Sequence, residues 1–551
     1  MNRRLNISNP FRIVLVIISL TVTTASFSQS NGFEVVRSLE LLDQIYEHLE
    51  KYYVDDLETG KMSKTAIDAM LKELDPYTVY YHESNIEDYQ LMTTGQYGGI
   101  GALIRKHKNF VYISEPYKGK PAEKSGLKAG DKIIEIDGKD MKNKSSSDVS
   151  AALKGPKGTD VKIKVERNLG KTTTITVARD EIKLPDVPYS GMLNETTGYI
   201  KLNSFTHSAS SNVKSAFYAL KSQGMKELVL DLRGNGGGLL IESVRIVNMF
   251  IEKNQLVVST KGRVIEENNV YKTMNAPIDL EIPLVVLVDK GSASASEIVS
   301  GSLQDLDRAV IIGTQSFGKG LVQRTYDLNY GSKVKLTIAK YYTPSGRCVQ
   351  RLEYYDNAHG ENASEIPDSL VTVFKTKNGR PVIDGRGIDP DITVELNDLS
   401  RLTALIYRNH FFFDFATQYY YAHDSISDAS TFELSDDEYE SFKQYVLGQE
   451  FTYATASEEM LKRMKETAEQ EGFFEDSETE FNALMDKVTP SKERDLTKFK
   501  AQIKPMLENE IISRYYYQSG RAQHAFKGDP FIKKSLEVLQ DNSQYNTILK
   551  N

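Results

Sequence analysis

The chain has 551 residues, 40% hydrophobic and 26% charged, a globular composition too long for one core, so about three or four domains are expected. A formal charge of −8 excludes nucleic acid as the main partner, because phosphate binding needs concentrated Lys and Arg. The single Cys348 cannot form an internal disulfide, and the eight histidines include no HExxH pair, so neither a metal nor another cofactor is expected.

Arg3, Arg4 and Arg12 precede a mostly apolar stretch, Ile13 to Ala25, followed by the small residues Ser26 and Ser28. A spanning helix needs roughly 20 apolar residues, and this stretch is shorter and broken by Ser and Thr. It reads as a signal peptide over residues 1–28, cleaved after Ser28, which places the protein outside the cytoplasm, in the periplasm or cell envelope. An uncleaved N-terminal membrane anchor is the alternative. Residues 29–94 read as a helical segment, with Leu39, Leu42, Ile45, Tyr46 and Leu49 at helical spacing and Ala66, Ala69, Met70 and Leu74 repeating it. Leu74-Asp75-Pro76 stops the helix, since proline forces its predecessor out of helical geometry.

Residues 95–184 change texture. Gly98-Gly99-Ile100-Gly101 opens the block, Phe110 to Ile113 is strand-like, and a short helix fits Pro121 to Ser125. The string Gly126 to Gly138 then packs a turn, a buried strand and an Asp-Gly turn into a short space, and Val161-Lys162-Ile163-Lys164-Val165 alternates strictly. This block resembles a PDZ domain. The resemblance implies that Gly99, Ile100, Gly101 and Ala102 receive the C-terminal carboxylate of a protein or peptide, with Ile100, Gly101 and Ala102 as N–H donors and apolar chain ends preferred.

Residues 185–395 alternate short apolar strands (198–202, 228–232, 284–288, 310–312) with helices (209–223, 239–251, 294–306), the pattern of an α/β layer. Three turns after buried strands are where a site would form. In Asp231-Leu232-Arg233-Gly234-Asn235-Gly236-Gly237-Gly238 consecutive glycines can aim N–H groups at an anion, which suits an oxyanion hole or merely a tight turn. In Gly291-Ser292-Ala293-Ser294-Ala295-Ser296-Glu297, Ser294 and Glu297 form a capping-box pattern. A serine at such a strand-to-helix junction is also where a nucleophile gains most, and the residues alone leave Ser292, Ser294 and Ser296 open. In Phe317-Gly318-Lys319-Gly320-Leu321-Val322-Gln323 a glycine-flanked lysine is the available base, for no histidine lies near these loops. It would serve once burial took its pKa from about 10.4 toward ~7–8, and Gln323 could hold the amine.

These segments, in order with Leu74-Asp75-Pro76, Gly198-Tyr199-Ile200, Tyr341-Tyr342-Thr343-Pro344-Ser345-Gly346-Arg347, Gly387-Ile388 and Pro390-Asp391, resemble the carboxy-terminal processing (tail-specific) proteases from about residue 33 to 395. The resemblance implies a multidomain α/β chain: a crotonase/ClpP-like α/β peptidase core carrying an inserted β-rich PDZ domain, with an N-terminal helical segment and a C-terminal helical extension from residue 396. It implies a serine endopeptidase that reads the C-terminal end of a protein through the PDZ domain and cuts upstream. It selects Ser294 as nucleophile, Lys319 (about 25 residues later) as base and Gln323 as orienting residue, with Ala295 and Gly236 or Gly237 forming the oxyanion hole. Tyr77-Thr78 stands where the family usually has His-Ser and is set outside the catalytic group. Cys348 replaces a serine, and Lys154 replaces an arginine that relatives link to activation. A catalytically silent PDZ adaptor or chaperone and a non-proteolytic hydrolase are the rival readings. The extension, acidic and rich in aromatics such as Phe411-Phe412-Phe413, is assigned to packing or to contact with a second copy or an adaptor.

Overall fold

A computed structural model describes residues 30–83, 86–167, 170–354, 363–395 and 398–550; the expected signal segment lies outside them. The chain divides into two compact units, one ending at Met70 and one beginning at Leu71. The first holds the helix Ser30–Tyr52 and most of Thr59–Lys72. The spacing of Leu39, Leu42 and Ile45 does make a helix, yet all three stay exposed. Periodicity defines a face, not a cover for it. Among the described residues no helix is long and apolar enough to cross a membrane.

In the second unit the helical reading up to residue 94 needs correction. After the Leu74–Tyr77 turn the chain forms a strand, Val79–Tyr81, and only then the helix Ile86–Thr94. The strand pairs antiparallel with Lys333–Tyr342, Val79 opposite Lys335, a partner more than 250 residues away that local periodicity cannot announce.

The β-rich block follows. Strands Ala102–His107, Phe110–Pro116, Lys132–Ile136, Asp160–Arg167 and Lys171–Ala178 lie side by side in that order, antiparallel throughout. Val161, Ile163 and Val165 are wholly buried, as their alternation requires, against Ile100, Val111, Ile113, Ile133 and Val149. Ala102–His107 is an edge strand, so one side of its backbone is open to another strand. The helix Ser146–Leu153, closed by a Ser145–Asp148 capping box, lies close to it.

The α/β layer has six strands in the order Tyr189–Met192, Thr197–Lys201, Glu227–Asp231, Leu284–Val288, Val310–Gly313, Ile392–Thr393. All neighbours are parallel except the first pair. Leu284–Val288 is buried at every position, which is why it reads as an unbroken apolar run. Helices Ala209–Ser222, Leu240–Val247 and Ala295–Asp305 cover one face. The helices Pro530–Gln540 and Asn542–Lys550 cover the other, where Phe531, Ile532, Val538, Leu539 and Tyr545 meet Val229, Val285, Leu287 and Ile312. The helical extension is therefore built into the second face of the α/β layer. Phe411, Phe412 and Phe413 are buried, the first two in a core with Phe442, Ile503, Leu507 and Ile511. A second, antiparallel sheet, not expected from the sequence, joins Leu321–Asp327 to Lys333–Tyr342, with a bulge between Val322 and Gln323.

Candidate active site

The three turns singled out above follow the parallel strands Glu227–Asp231, Leu284–Val288 and Val310–Gly313 and converge at that edge. The serine turn is stitched to the glycine turn. Ala293 N–H donates to Asn235 O (3.0 Å), the Ser296 hydroxyl to the same oxygen (2.8 Å), and the Ser292 hydroxyl to Leu232 O (2.9 Å). Ser292 and Ser296 are thus fully buried with their hydroxyls spent on carbonyls. Ser294 alone is half-buried, and its backbone (φ 56°, ψ −111°) lies where a non-glycine residue is strained. Its carbonyl accepts from Ile298 N–H (2.9 Å) and from the buried Tyr341 hydroxyl (3.2 Å). The helix begins at Ala295, whose N–H, first in the helix, has no intrahelical acceptor.

One carboxylate ties the serine and lysine turns together. Glu297 is wholly buried. Its Oε2 accepts the N–H groups of both Ser294 (2.8 Å) and Lys319 (2.9 Å), while Oε1 accepts Gly318 N–H (2.6 Å) and the Ser316 hydroxyl (2.6 Å). Burial pushes its carboxyl above the ordinary range, against the pull of those four donors. The capping-box pattern at Ser294 was legible in the sequence, but the grip of Glu297 on the lysine turn was not.

Lys319 is partly buried, and burial, aided by the nearby charge of Lys335, brings its pKa from 10.5 to about 8 against the opposing pull of Asp75 and Glu297. Its Nζ lies 4.1 Å from the centroid of the Tyr77 ring. Tyr77, set outside the catalytic group on sequence grounds, therefore belongs to the surroundings of the candidate base. Gln323 sits at the bulge and donates its amide to Thr337 Oγ1 (3.1 Å), which also meets the Thr78 hydroxyl (3.4 Å). Among the described residues no hydrogen bond joins Gln323 to the Lys319 amine.

Of the glycines, Gly237 is the one against the serine: a Cβ there would fall 2.9 Å from Ser294 Cβ and 3.0 Å from Ala295 N, at a φ of +101°. Its N–H, however, donates to Asn235 Oδ1 (2.9 Å). Gly236, exposed, has nothing within 4 Å of a Cβ position. The base of this turn is anchored from the helical extension. Arg233 binds Asp231 (2.6 Å), bonds Asp529 (2.7 Å) and lies 4.8 Å from the Phe531 ring. Burial would raise Asp231, but Arg233 and Lys201 hold it at about 2.

In the β-rich block the loop 98–102 turns its carbonyls inward: Ile100 O accepts Ala122 N–H (2.8 Å) and Gly101 O accepts Tyr117 N–H (2.9 Å). Gly101 needs to be glycine, for at φ +73° a Cβ would fall 2.7 Å from Lys120 Cβ. Gly155 N–H donates to Gly98 O (3.2 Å), so the Leu153-Lys154-Gly155 segment lies on this loop. Arg179 takes the Ala152 and Leu153 carbonyls at the end of the neighbouring helix (both 3.0 Å). The helical extension grips the other side of the sheet through Arg521–Glu115 (2.5 Å), Tyr517–Glu123 (2.7 Å) and Asp414–His107 (3.3 Å). Among the described residues no cluster of His, Cys, Asp and Glu could hold a metal ion.

An α/β layer with a serine turn and a buried lysine turn at one edge, beside a peptide-binding type of β-domain, defines a PDZ-containing serine peptidase. Comparison with known proteins agrees: residues 196–354 match the model of Peptidase family S41, residues 89–166 that of the PDZ domain, and residues 402–539 that of "Probable PDZ-protease, C-terminal helical domain". The chain is 36% identical over 344 residues to the carboxy-terminal-processing protease of Bartonella bacilliformis, covering 61% of this chain and 78% of that one. It is 33% identical over 362 residues to the "Probable CtpA-like serine protease" of Staphylococcus saprophyticus, covering 63% and 72%. Among solved structures it is similar to the photosystem II D1 C-terminal processing protease, at 28% identity and a TM-score of 0.37, covering 64% and 86%. The chain belongs to the S41 family of carboxy-terminal-processing serine peptidases.

Proposed function

We propose that the protein is an exported endopeptidase in which Ser294 is the nucleophile and neutral Lys319 the general base. The observation that carries this reading is the shared carboxylate: Glu297 Oε2 holds Ser294 N–H and Lys319 N–H on one atom, while Ser292 and Ser296 are committed to carbonyls. As Ser294 Oγ attacks the scissile carbonyl carbon, its proton passes to Lys319 Nζ. The carbonyl oxygen, now an oxyanion, draws on Ala295 N–H and on a glycine N–H of the 236–237 turn, which for Gly237 requires release from Asn235 Oδ1. The lysine ammonium then protonates the leaving amine, and the resulting ester is hydrolysed by a water that Lys319 deprotonates, restoring Ser294. Gln323, four residues beyond the lysine, is held by Thr337. Purified protein beginning at Gln29 is expected to degrade an unfolded protein with an apolar C-terminus. The Ser294→Ala form should leave it intact, and degradation by that form overturns the assignment.

Selection of chain ends belongs to the same proposal. A peptide adding to the open edge of Ala102–His107 would bring its carboxylate to the N–H groups of Ile100, Gly101 and Ala102. Hydrogen bonds to a charged group contribute ~1.5–3 kcal/mol each, so amidating the terminus is expected to weaken binding at least about tenfold. Equal cleavage of a free-acid and an amidated peptide would refute the loop's role. Export rests on the basic start and the short apolar run: the mature protein is expected in the periplasm or envelope with its first residue near Gln29. N-terminal sequencing that finds Met1 on cytoplasmic protein rules this out.

A further inference from the structure

We infer that Tyr77 is the positioning residue for the Lys319 amine, its ring face seating the ammonium that forms when the base takes its proton; this rests on the Ser294–Lys319 pair proposed above. The ring centroid is 4.1 Å from Nζ, and among the described residues the amine has no carboxylate or hydrogen-bond partner. The segment that carries the ring is fixed through its backbone, and the phenol through one partner. Asp75 Oδ1 accepts both Tyr77 N–H and Thr78 N–H (2.8 Å each), and Asp75 Oδ2 accepts the Thr78 hydroxyl (2.9 Å). The chain then enters the strand Val79–Tyr81, pinned to Lys333–Tyr342. The phenol meets the Tyr354 hydroxyl at 3.2 Å, with the two rings edge to face (5.9 Å, 89°). Burial and the Tyr354 contact push the Tyr77 phenol above its ordinary value, so it stays neutral and keeps its π face.

A π face suits a lysine base better than the alternatives. A carboxylate at contact distance would keep the amine protonated, and a hydrogen-bond donor would occupy the lone pair that must accept the Ser294 proton. The ring quadrupole attracts the ammonium and leaves the neutral amine's lone pair free. The stabilisation therefore grows as the proton moves from Oγ to Nζ, which raises turnover and not only substrate affinity. The other groups facing the amine are Lys335 from the antiparallel sheet, which opposes its charge, and Asp75 and Glu297, which favour it.

The test is the pH profile of kcat/KM and of kcat for Tyr77→Leu and Tyr77→Phe on one peptide substrate. Leucine keeps the site apolar but removes the π face. The plateau of kcat is expected to fall about tenfold with KM little changed, and the acid limb to move to lower pH, because the ammonium has lost its partner. Phenylalanine, which keeps the face, is expected to rescue both plateau and limb. Should leucine fail to give folded protein, Tyr77→Met carries the same expectation. A leucine or methionine form with the original limb and plateau overturns the inference, as does a phenylalanine form as impaired as the leucine one. Activity in Lys319→Met would instead remove the underlying Ser294–Lys319 reading, so the two failures are distinguishable.

Discussion

Lys319→Arg, Lys319→Ala and Lys319→Met are each expected to lose nearly all turnover, while Lys319→Met melts at a higher temperature than the unmodified protein. Arginine stays protonated at every working pH and cannot accept the Ser294 proton, so keeping the charge rescues nothing. In the unmodified protein kcat/KM should rise about tenfold per pH unit up to about 8, where the amine becomes neutral, and then level off. The stability effect has the opposite sign. The folded protein holds the amine near 8, against an ordinary value of 10.5, so between those two pH values the unfolded chain carries a proton that the folded one lacks. Stability therefore rises with pH across that window, and below it the buried ammonium costs the fold on the order of 3 kcal/mol. Methionine removes that cost. Its advantage should be full at neutral pH and fade between about pH 8 and 10.5, as read by denaturant melts at several pH values. A methionine form that is inactive and also less stable at pH 7 would mean that the lysine holds the site together and is not a strained base.

Much of this site was legible because its parts lie on short, strongly patterned segments. The unbroken run Leu284–Val288 announced a strand buried on both faces, and the glycines and serines after it announced a turn into a helix. What covers the second face was not legible. Phe531, Val538 and Tyr545 sit about 250 residues downstream, and their helical spacing says only that they face something. Nor could spacing choose among Ser292, Ser294 and Ser296. The distinction comes from Leu232 O and Asn235 O, acceptors on a different turn, and on sequence grounds only family resemblance selected Ser294. The place of Tyr77 beside Lys319 was illegible for the same reason: it is brought there by the pairing of Val79–Tyr81 with Lys333–Tyr342. The spacing of Leu39, Leu42 and Ile45 shows the converse, a clear local signal that yields a helix but not a buried face.

Glu297→Gln is expected to be more damaging than its isosteric appearance implies, and Glu297→Ala more damaging still. The carboxylate accepts four donors, two on each oxygen, and a carboxylate is the only side chain of this size that accepts at both positions. Glutamine offers one oxygen and one amino group. With the amino group toward Ser294 and Lys319, both backbone N–H groups lose their acceptor and face a donor. Turned the other way, Gly318 N–H is orphaned, and the Ser316 hydroxyl, already accepting from Ile388 N–H (2.7 Å), must give up its own donor bond. Each orphaned buried donor costs about 1–3 kcal/mol, so glutamine should lower stability by at least about that much, and alanine, which strands all four, by about 4 kcal/mol or more. The effect on rate follows from geometry. Ser294 and Lys319 take their relative position from one oxygen atom, and a displacement of about 1 Å at such a pair can cost on the order of 100-fold in kcat. The two consequences separate experimentally. At a temperature where the Glu297→Gln protein is fully folded by circular dichroism, kcat should still be down by roughly that factor, with peptide binding to the PDZ loop unaltered. A folded Glu297→Gln protein with the original kcat would show that the shared carboxylate does not set the geometry of serine and lysine.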